Sequence, residues 1–449
     1  MLSKSVFFNP SATILRYQYR YLSLVSFDNK QITVAFSKES RVEDKVPQHE
    51  RDQTQANTAS FSTVFLRDAC DLPGSVDYST KQKLFTTAQV ARGLEIYKAP
   101  SVIRKDGQNF LEVQWKHQDG STHESSFSEK FLSKSCSLNG RMRGKHFPRE
   151  KVFWTEKDLI QGMKLLNFDY YAYLEGNSTF QKALKALNKY GICFIHHIEN
   201  PLQNPKTQVL TEANAFSWPV AKLAKKFGYI KSTFYGTLFD VKNDKNAKNI
   251  ANTNLFLPLH MDLCYYESPP GLQLLHFIEN STLGGENVFA DSFLAASRVK
   301  TNDPEAYEAL KTMPITFHYK NNNEYYYYLR PLVVEEPYLK DPDTGEPLLK
   351  AVNYSPPFQG PFEMNITSNE NTKLFDDFIR GMIAFEDAIN DRANQYTVKS
   401  PENSCIIFDN RRVLHSRLGF TDCNGGDRWL MGCYVDGDSY RSKLRTNLS

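Results

Sequence analysis

The pattern of hydrophobic and polar positions in the first third of the chain predicts mainly β-structure. Residues 111–127 alternate apolar and polar side chains on both sides of Asp119 and Gly120. This alternation predicts a β-hairpin that turns at those two residues. Residues 62–70 form a short apolar run, which predicts a strand that ends in a turn. Together these features indicate a small β-rich domain near the N-terminus.

The remainder of the chain mixes helical spacing with many short apolar runs. Residues 179–190 carry apolar side chains at helical intervals, and a strand-like segment, residues 191–198, follows them. From residue 255 onward, short apolar runs are separated by Gly, Pro and Asn, with helical interludes at 304–312 and 371–390. Many short strands joined by irregular loops predict a jelly roll or a barrel. The predicted fold class is therefore mostly β with flanking helices.

Composition and charge argue against several classes of protein. The 449 residues include 54 Lys and Arg against 51 Asp and Glu, which gives a formal charge of +3. This near balance argues against a nucleic-acid-binding protein. The sequence has no run of about 18 apolar residues, which argues against a membrane span. Seven scattered cysteines without a CxxC motif indicate free thiols in a reducing compartment.

The N-terminal segment, residues 1–27, differs in composition from the rest. It contains Lys4, Arg16 and Arg20 but no acidic residue, and it mixes serines with large apolar side chains. A basic, acid-free, Ser-rich and amphipathic segment is typical of a mitochondrial transit peptide, so the sequence predicts import into the mitochondrial matrix. Its three positive charges equal the excess of the whole chain. The remaining residues carry 51 basic and 51 acidic side chains, a balance that does not indicate a polyanionic partner.

The sequence thus predicts four parts in chain order. A transit peptide at residues 1–27 precedes a small β-rich domain at residues 28–140. A basic connector at 141–170 then leads to a β-rich domain at 171–449. The residues with the strongest chemical signal all fall in this last domain.

Two histidines and one aspartate are the strongest candidates for chemistry. His260 and Asp262 lie two positions apart in a strand-like run, so their side chains point to the same side. His415 follows an apolar strand and a polar turn, 155 residues further on. Two His and one carboxylate are the facial triad of non-haem Fe(II) oxygenases, which leaves positions open for a co-substrate and O2. A second H-x-D, His117 to Asp119, falls at the predicted hairpin turn and is interpreted as chance.

Arg428 favours the oxygenase interpretation over a hydrolase. It lies 13 residues after His415, at the beginning of an apolar strand. A guanidinium there can bind the far carboxylate of 2-oxoglutarate through two parallel hydrogen bonds. A zinc hydrolase could use the same three ligands, but it lacks an assigned general base and gives Arg428 no role. The other histidines of strand-like runs are interpreted as structural, namely His196, His197, His276 and His318.

Ordered segments along the chain match a known family. They are TFYG (233–236), LHMD (259–262), PPGLQLLH (269–276), GGENVFADSF (284–293), FDNRRVLHSR (408–417) and RWLMGCYVDGD (428–438). FLRDAC (65–70) matches the signature of the family's small N-terminal domain. In these segments the chain resembles the γ-butyrobetaine and trimethyllysine hydroxylases, within the taurine-dioxygenase-like Fe(II)/2-oxoglutarate oxygenases. The resemblance runs from about residue 62 to the C-terminus.

The resemblance implies a fold, a reaction and a set of site residues. The fold is a distorted double-stranded β-helix, a form of jelly roll, and the assembly is a homodimer. The reaction is hydroxylation of a small molecule with O2, which converts 2-oxoglutarate to succinate and CO2, with ascorbate as an expected assay additive. The implied residues are three ligands of Fe(II) and three of the 2-oxoglutarate pocket, namely His260, Asp262, His415, Arg428, Leu275 and Asn287.

The N-terminal domain departs from the family pattern at its zinc site. Family members bind zinc there through three Cys and one His. Only Cys70 and His123 stand at matching positions, and Leu72 and Ser75 occupy the other two. A structural zinc site needs four ligands, so we expect this domain to fold without zinc.

The substrate pocket departs from the pattern as well. Tyr235, Phe239 and Tyr434 fall on the positions of the family's aromatic cage, which holds a trimethylammonium group by cation–π attraction. Asn252 replaces an aromatic residue of that cage, and Phe239 stands where the family has a larger ring. The resemblance therefore implies a small substrate of betaine or amino-acid type, as in carnitine biosynthesis, without naming it. The alternatives left open are an inactive binding or scaffold protein with the same fold and a zinc-dependent hydrolase.

Overall fold

The computed structural model describes residues 19–38, 57–137, 140–141, 145, 151–242, 250–321, 323–341, 344–363, 369–421 and 427–448. Internal contacts divide the chain into two compact units, residues 1–141 and residues 142–449. No helix of the described residues is long and apolar enough to cross a membrane.

The first unit consists of two three-stranded antiparallel sheets and short helices. The strands are β1 (Tyr19–Phe27), β2 (Gln31–Lys38), β3 (Asn57–Ser62), β4 (Glu95–Lys105), β5 (Gln108–Lys116) and β6 (Thr122–Ser128). The helices are α1 (Thr63–Asp68), α2 (Thr87–Ala91) and α3 (Glu129–Ser135). The sheet orders are β1-β2-β3 and β4-β5-β6. Apolar side chains from both sheets and from α1 and α3 form one buried cluster around Trp115, whose indole donates to Ser125 Oγ at 2.8 Å.

The predicted hairpin is confirmed, but the predicted strand that follows Ser62 is wrong. Strands β5 and β6 pair antiparallel with Lys116 opposite Thr122, and Gly120 in the turn has φ of +81°. Residues 63–68 form helix α1 instead of a strand. The cause is local, because the Ser62 hydroxyl accepts the Phe65 N–H and so caps the first turn of a helix.

The last nine residues of the predicted transit peptide form a strand of the first unit. Strand β1 lies inside residues 1–27, and it pairs with β2 from Tyr19 to Phe27. Leu22 of β1 is buried in the core of the first unit. Residues 1–18 lie outside the described residues, so a removable segment that spares this sheet must end before Tyr19.

The second unit mixes many strands with helices. Its strands are β7 (Asn167–Asp169), β8 (Ile192–His196), β9 (Phe239–Lys242), β10 (Leu257–His260), β11 (Leu272–Asn280), β12 (Leu283–Gly284), β13 (Asn287–Asp291), β14 (Pro314–Asn321), β15 (Glu324–Pro331), β16 (Val333–Lys340), β17 (Pro347–Val352), β18 (Gln395–Val398), β19 (Ser404–Asp409), β20 (Val413–Arg417), β21 (Phe420–Thr421) and β22 (Arg428–Val435). Its helices are α4 (Glu156–Gly162), α5 (Tyr170–Glu175), α6 (Asn177–Tyr190), α7 (Pro219–Lys225), α8 (Ser292–Asn302), α9 (Pro304–Thr312), α10 (Asn369–Asn390) and α11 (Gly437–Leu448). The helices predicted near residues 179, 304 and 371 are confirmed as α6, α9 and α10.

Two sheets of the second unit contain the strands that carry most of the predicted site residues. One has the order β7-β8-β19-β11-β22-β9, and the other has the order β10-β20-β13-β18. All their pairs are antiparallel except β7 with β8. The two sheets meet through Phe289 of β13 and Phe408 of β19, whose fully buried rings lie 5.5 Å apart. This contact brings strands from both sheets to one region of the core.

A buried ion pair fastens the predicted connector to the second unit. Arg412 Nη2 lies 2.7 Å from Asp291 Oδ2, and the two side chains are 1% and 0% exposed. The Trp154 N–H donates to the same carboxylate oxygen at 3.0 Å. The Arg412 guanidinium also donates to the carbonyl oxygens of Val152 and Lys189. The predicted connector, residues 141–170, is therefore in part a component of this unit's core.

We expect Arg412→Met to destabilise the protein strongly, because it leaves the Asp291 carboxylate buried without its cation. Removing one member of a buried pair costs about 3–5 kcal/mol of unfolding free energy, measurable by urea denaturation of the full chain. Arg441→Met is the control, since Arg441 and its partner Asp438 are 47% and 95% exposed. Exposed pairs contribute about 0–1 kcal/mol. Equal losses in the two variants would contradict the role given to the buried pair.

Candidate active site

The three predicted metal ligands come together where β10 and β20 pair. His260 ends β10, His415 lies on β20, and the two residues are direct partners in the antiparallel register. Asp262 follows β10 by two residues, and its Oδ1 lies 3.3 Å from His260 Nε2 and 3.9 Å from His415 Nε2. Donor atoms bound at right angles about 2.0–2.2 Å from one ion lie about 3 Å apart. The cluster therefore has the size and the donor set of a three-ligand metal site.

Neighbouring polar groups hold these ligands in place. His260 Nδ1 lies 2.8 Å from the Pro258 carbonyl oxygen, which leaves Nε2 directed at the cluster. The Asn410 side chain accepts from Asp262 N at 2.9 Å and donates to Asp262 O at 3.0 Å. The Tyr434 hydroxyl donates to Asp262 Oδ2 at 2.6 Å, leaving Oδ1 facing the histidines. The carboxylate is thus oriented by hydrogen bonds to its backbone and to its second oxygen.

Electrostatics favour the protonation states that bind a metal. Burial and the neighbouring His260 lower the pKa of His415 to about 3. Burial by itself raises the pKa of Asp262, but the hydrogen bond with His260 and the proximity of His415 hold it well below its usual range. At neutral pH the cluster therefore presents a neutral His415 imidazole and an ionised carboxylate, as a divalent metal requires.

The predicted co-substrate residues supply a buried cation without a carboxylate partner among the described residues. Arg428 begins β22 and is 7% exposed, and its Nε is buried without a hydrogen-bond partner. Burial, with Arg417 nearby, lowers the pKa of Arg428 to about 9, so the guanidinium stays charged at neutral pH. Asn287 on β13 likewise has a buried, unpartnered Oδ1. The unpartnered Arg428 donor fits a bound carboxylate ligand such as 2-oxoglutarate.

A glycine makes room beside Arg428. Gly285 has φ of +73°, and a Cβ at this position would lie 3.3 Å from Arg428 Nε. Leu275, also predicted for this pocket, lies on β11, which pairs with β22. A side chain at position 285 would therefore be strained in its backbone and would crowd the guanidinium.

The four predicted substrate residues line one cavity with two of the metal ligands. The cavity wall includes Tyr235, Phe239, Asn252, Tyr434, His260 and Asp262. Phe239 stacks on Tyr434 with ring centroids 4.9 Å apart, and the Tyr235 ring lies 6.2 Å from Phe239. The aromatic surface in front of the cluster is thus continuous, with Asn252 in the same wall.

Sequence reasoning missed several residues of this site. Tyr265 and Phe358 line the same cavity, and the Tyr265 hydroxyl lies 3.2 Å from the Tyr235 hydroxyl. Asp240 reaches the wall and accepts the Trp429 indole N–H at 2.6 Å. No spacing rule marks these residues, because each contact joins segments that are distant in sequence.

The residues at the family's zinc positions form a hydrogen-bonded cluster in the first unit. Cys70 Sγ lies 3.4 Å and Ser75 Oγ lies 2.9 Å from His123 Nε2. The Arg67 guanidinium donates to Ser75 Oγ at 2.9 Å. Burial and Arg67 lower the pKa of His123 to about 4. Two zinc-type donors beside a fixed cation do not fit a structural zinc ion, which needs four donors.

The second H-x-D has a structural explanation in the same unit. His117 Nε2 accepts a hydrogen bond from Arg67 Nε at 3.3 Å, and Asp119 binds Ser121 in the hairpin turn. Within the described residues, neither belongs to a group of His, Cys, Asp or Glu side chains placed to hold a metal. This agrees with its interpretation as chance.

One known protein family matches the part of the chain that contains this site. A model of the taurine catabolism dioxygenase TauD, TfdA family matches residues 157–434, more than half of the chain. The matched range contains every residue predicted for the metal, co-substrate and substrate sites.

Individual relatives match most of the chain. Dioxygenase str8 of Strobilurus tenacellus is 32% identical over 84% of this chain and 82% of its own length. The gamma-butyrobetaine dioxygenase of Pseudomonas sp. strain AK-1 is 28% identical over 86% of this chain and 89% of its own. The mitochondrial trimethyllysine dioxygenase of Rattus norvegicus is 28% identical over 89% and 86%. These matches confirm the resemblance recognised in the sequence.

We expect Tyr434→Phe to weaken metal binding, because it removes the hydrogen bond that orients Asp262. Loss of such a partner lowers metal affinity roughly 10- to 100-fold, and calorimetric titration of the metal-free protein with Co(II) measures the change. Tyr265→Phe is the matched control, since its hydroxyl lines the same cavity but bonds Tyr235 instead. An unchanged affinity in Tyr434→Phe would show that Asp262 is oriented without Tyr434.

Proposed function

The chain belongs to the TauD, TfdA family of taurine catabolism dioxygenases, and on this premise we propose that it hydroxylates a small molecule of betaine or amino-acid type. The protein is a dioxygenase that uses Fe(II) and 2-oxoglutarate. The proposed reaction inserts one oxygen atom of O2 into a C–H bond of the substrate. The other oxygen atom enters succinate as 2-oxoglutarate loses CO2.

The observation that carries the proposal is the convergence of His260, Asp262 and His415 beside a cavity with aromatic walls. In our assignment these three residues hold Fe(II), and the bound iron supplies the oxidising chemistry. Tyr434 holds the second oxygen of Asp262, and its ring is part of the cavity wall. We further propose that the two sheets in contact are the two halves of a double-stranded β-helix.

Arg428 is assigned to the co-substrate. Its guanidinium is buried, charged and without a carboxylate partner among the described residues, so it would bind the far carboxylate of 2-oxoglutarate. Leu275 and Asn287 are assigned to the walls of the same pocket. The chain's own contribution is therefore to fix the co-substrate and to keep bulk water away from the metal.

The substrate is assigned to the aromatic cavity. The rings of Tyr235, Phe239 and Tyr434 present faces that attract a cationic group. Asn252 stands in this wall instead of a further ring, which leaves room for a polar contact. A carnitine-biosynthesis-like substrate with one cationic nitrogen is the best match. Nothing in the described residues favours a zinc-dependent hydrolase or an inactive scaffold.

The decisive experiment measures succinate. The purified full chain, supplied with Fe(II), 2-oxoglutarate and ascorbate in air, is screened against γ-butyrobetaine, trimethyllysine, other betaines and amino acids. We expect one class to stimulate succinate formation and to gain a hydroxyl group detectable by mass spectrometry. His260→Ala should abolish both signals. The proposal would be contradicted if no panel member stimulated succinate formation and the protein did not bind Fe(II).

The same assay tests Arg428 through a matched pair of variants. Arg428→Gln should raise the KM for 2-oxoglutarate by roughly 10- to 150-fold, because a hydrogen bond to a charged group contributes about 1.5–3 kcal/mol. Arg392→Gln, at an exposed position outside the site, should leave the KM unchanged.

We also propose import into the mitochondrial matrix and assembly as a homodimer. The composition of residues 1–27 supports import, and the rat relative is named as mitochondrial. Fluorescence microscopy of the full chain and of a chain lacking residues 1–18 tests it, with loss of mitochondrial signal expected on deletion. Cytosolic signal from the full chain would refute it. Analytical ultracentrifugation tests the dimer, for which a monomer mass would be the contrary result.

A further inference from the structure

The second unit contains another cavity, of about 670 Å³, with a wall rich in charged side chains. We call it the arginine cavity, after Arg330 and Arg411 in its wall. None of the assigned metal ligands lines it, and neither does Arg428. It is therefore separate from the site assigned to 2-oxoglutarate.

Arg330 is a cation of this wall for which the described residues supply no ion-pair partner. It lies near the end of β15, is 8% exposed, and has a buried Nε without a hydrogen-bond partner. Its Nη2 donates to the carbonyl oxygens of Tyr266 and Glu267. These contacts orient the guanidinium but do not neutralise its charge.

Arg411 is the second such cation. It lies between β19 and β20, and its Nη1 is buried without a partner. Burial and the positive charge of Arg330 lower the pKa of Arg411 to about 10. No carboxylate of the described residues lies within 4.0 Å of either guanidinium, since neither forms an ion pair there. Two buried cations that repel each other are costly unless an anion joins them.

The carboxylates of the wall are mostly engaged elsewhere. Three of them have ion-pair partners of their own, namely Glu336 with Lys350, Asp436 with Lys231 and Asp438 with Arg441. Asp409 accepts the Arg411 backbone N–H at 2.9 Å, and burial raises its pKa. Asp341 has a further contact of its own, and Glu267 is exposed. A third cation, Lys151, also faces this cavity.

We propose that the arginine cavity binds a small anion with two or more oxygen atoms, a phosphate or a dicarboxylate, between Arg330 and Arg411. Guanidinium groups bind such anions through paired N–H donors. Both arginines line the cavity, and neither has an ion-pair partner among the described residues. This site is independent of the proposed hydroxylation and does not rest on it.

The test uses inorganic phosphate as the probe and the metal-free full chain as the protein. Calorimetric titration should show binding to the wild type and to Arg428→Gln. Arg330→Gln and Arg411→Gln should each weaken binding roughly tenfold or more, because each loses a charge-assisted hydrogen bond. Titration of Arg428→Gln with succinate shows whether the cavity prefers a dicarboxylate or phosphate. This variant is used because it lacks the guanidinium of the assigned co-substrate site.

A second measurement avoids the risk that a variant fails to fold. Wild-type protein is treated with phenylglyoxal, which modifies arginine, and peptides are mapped by mass spectrometry. Phosphate or succinate should protect Arg330 and Arg411. Equal affinity in all variants, or no protection of these two residues, would identify an adventitious ion only and overturn the proposal. Absence of binding by both probes overturns it as well.

Discussion

The antiparallel register of β10 and β20 is the constraint on which the rest of the site depends. It places His260 opposite His415, and a slip of one residue would turn one imidazole to the other face of the sheet. Two contacts hold this register: the Ser416 hydroxyl donates to the Leu257 carbonyl oxygen at 2.7 Å, and β13 pairs with the other edge of β20. The Phe408 ring packs beside the His415 ring, with the ring centroids 5.0 Å apart. The pairing of β10 with β20 therefore sets the relative positions of the two histidines.

Around this frame, Asn410 and Arg412 have their hydrogen bonds satisfied, whereas Arg428 does not. Asn410 uses both ends of its amide on Asp262, and Arg412 is fully paired with Asp291 and backbone carbonyls. Arg428, in contrast, keeps a buried Nε without any partner. Because an unsatisfied buried cation is destabilising in the free protein, it is a position where ligand binding can regain the lost hydrogen bonds.

The predictable part of the site was the part encoded by short spacing. The two-residue interval between His260 and Asp262, and a distal His415 after an apolar strand, predicted three side chains that the structure brings together. The hydrogen bond from Tyr434 to Asp262 spans 172 residues, so no local pattern contains it. Helix α1 was missed because of a local interaction. The apolar run after Ser62 is compatible with a strand or a helix, and the hydrogen bond from Phe65 N–H to the Ser62 hydroxyl favours the helix. Burial of Leu22 in β1 likewise depends on partners outside the segment whose composition suggested a leader.

Arg412 has a consequence for the order of events in folding. Its guanidinium bridges backbone at Val152 and Lys189 and the carboxylate of Asp291, which precede it by 260, 223 and 121 residues. Contacts of such long range form only after large loops have closed, which is slow. The strand that carries His415 begins one residue after Arg412. The proposed ligand His415 therefore lies three residues beyond a side chain whose contacts form only after most of the second unit has come together.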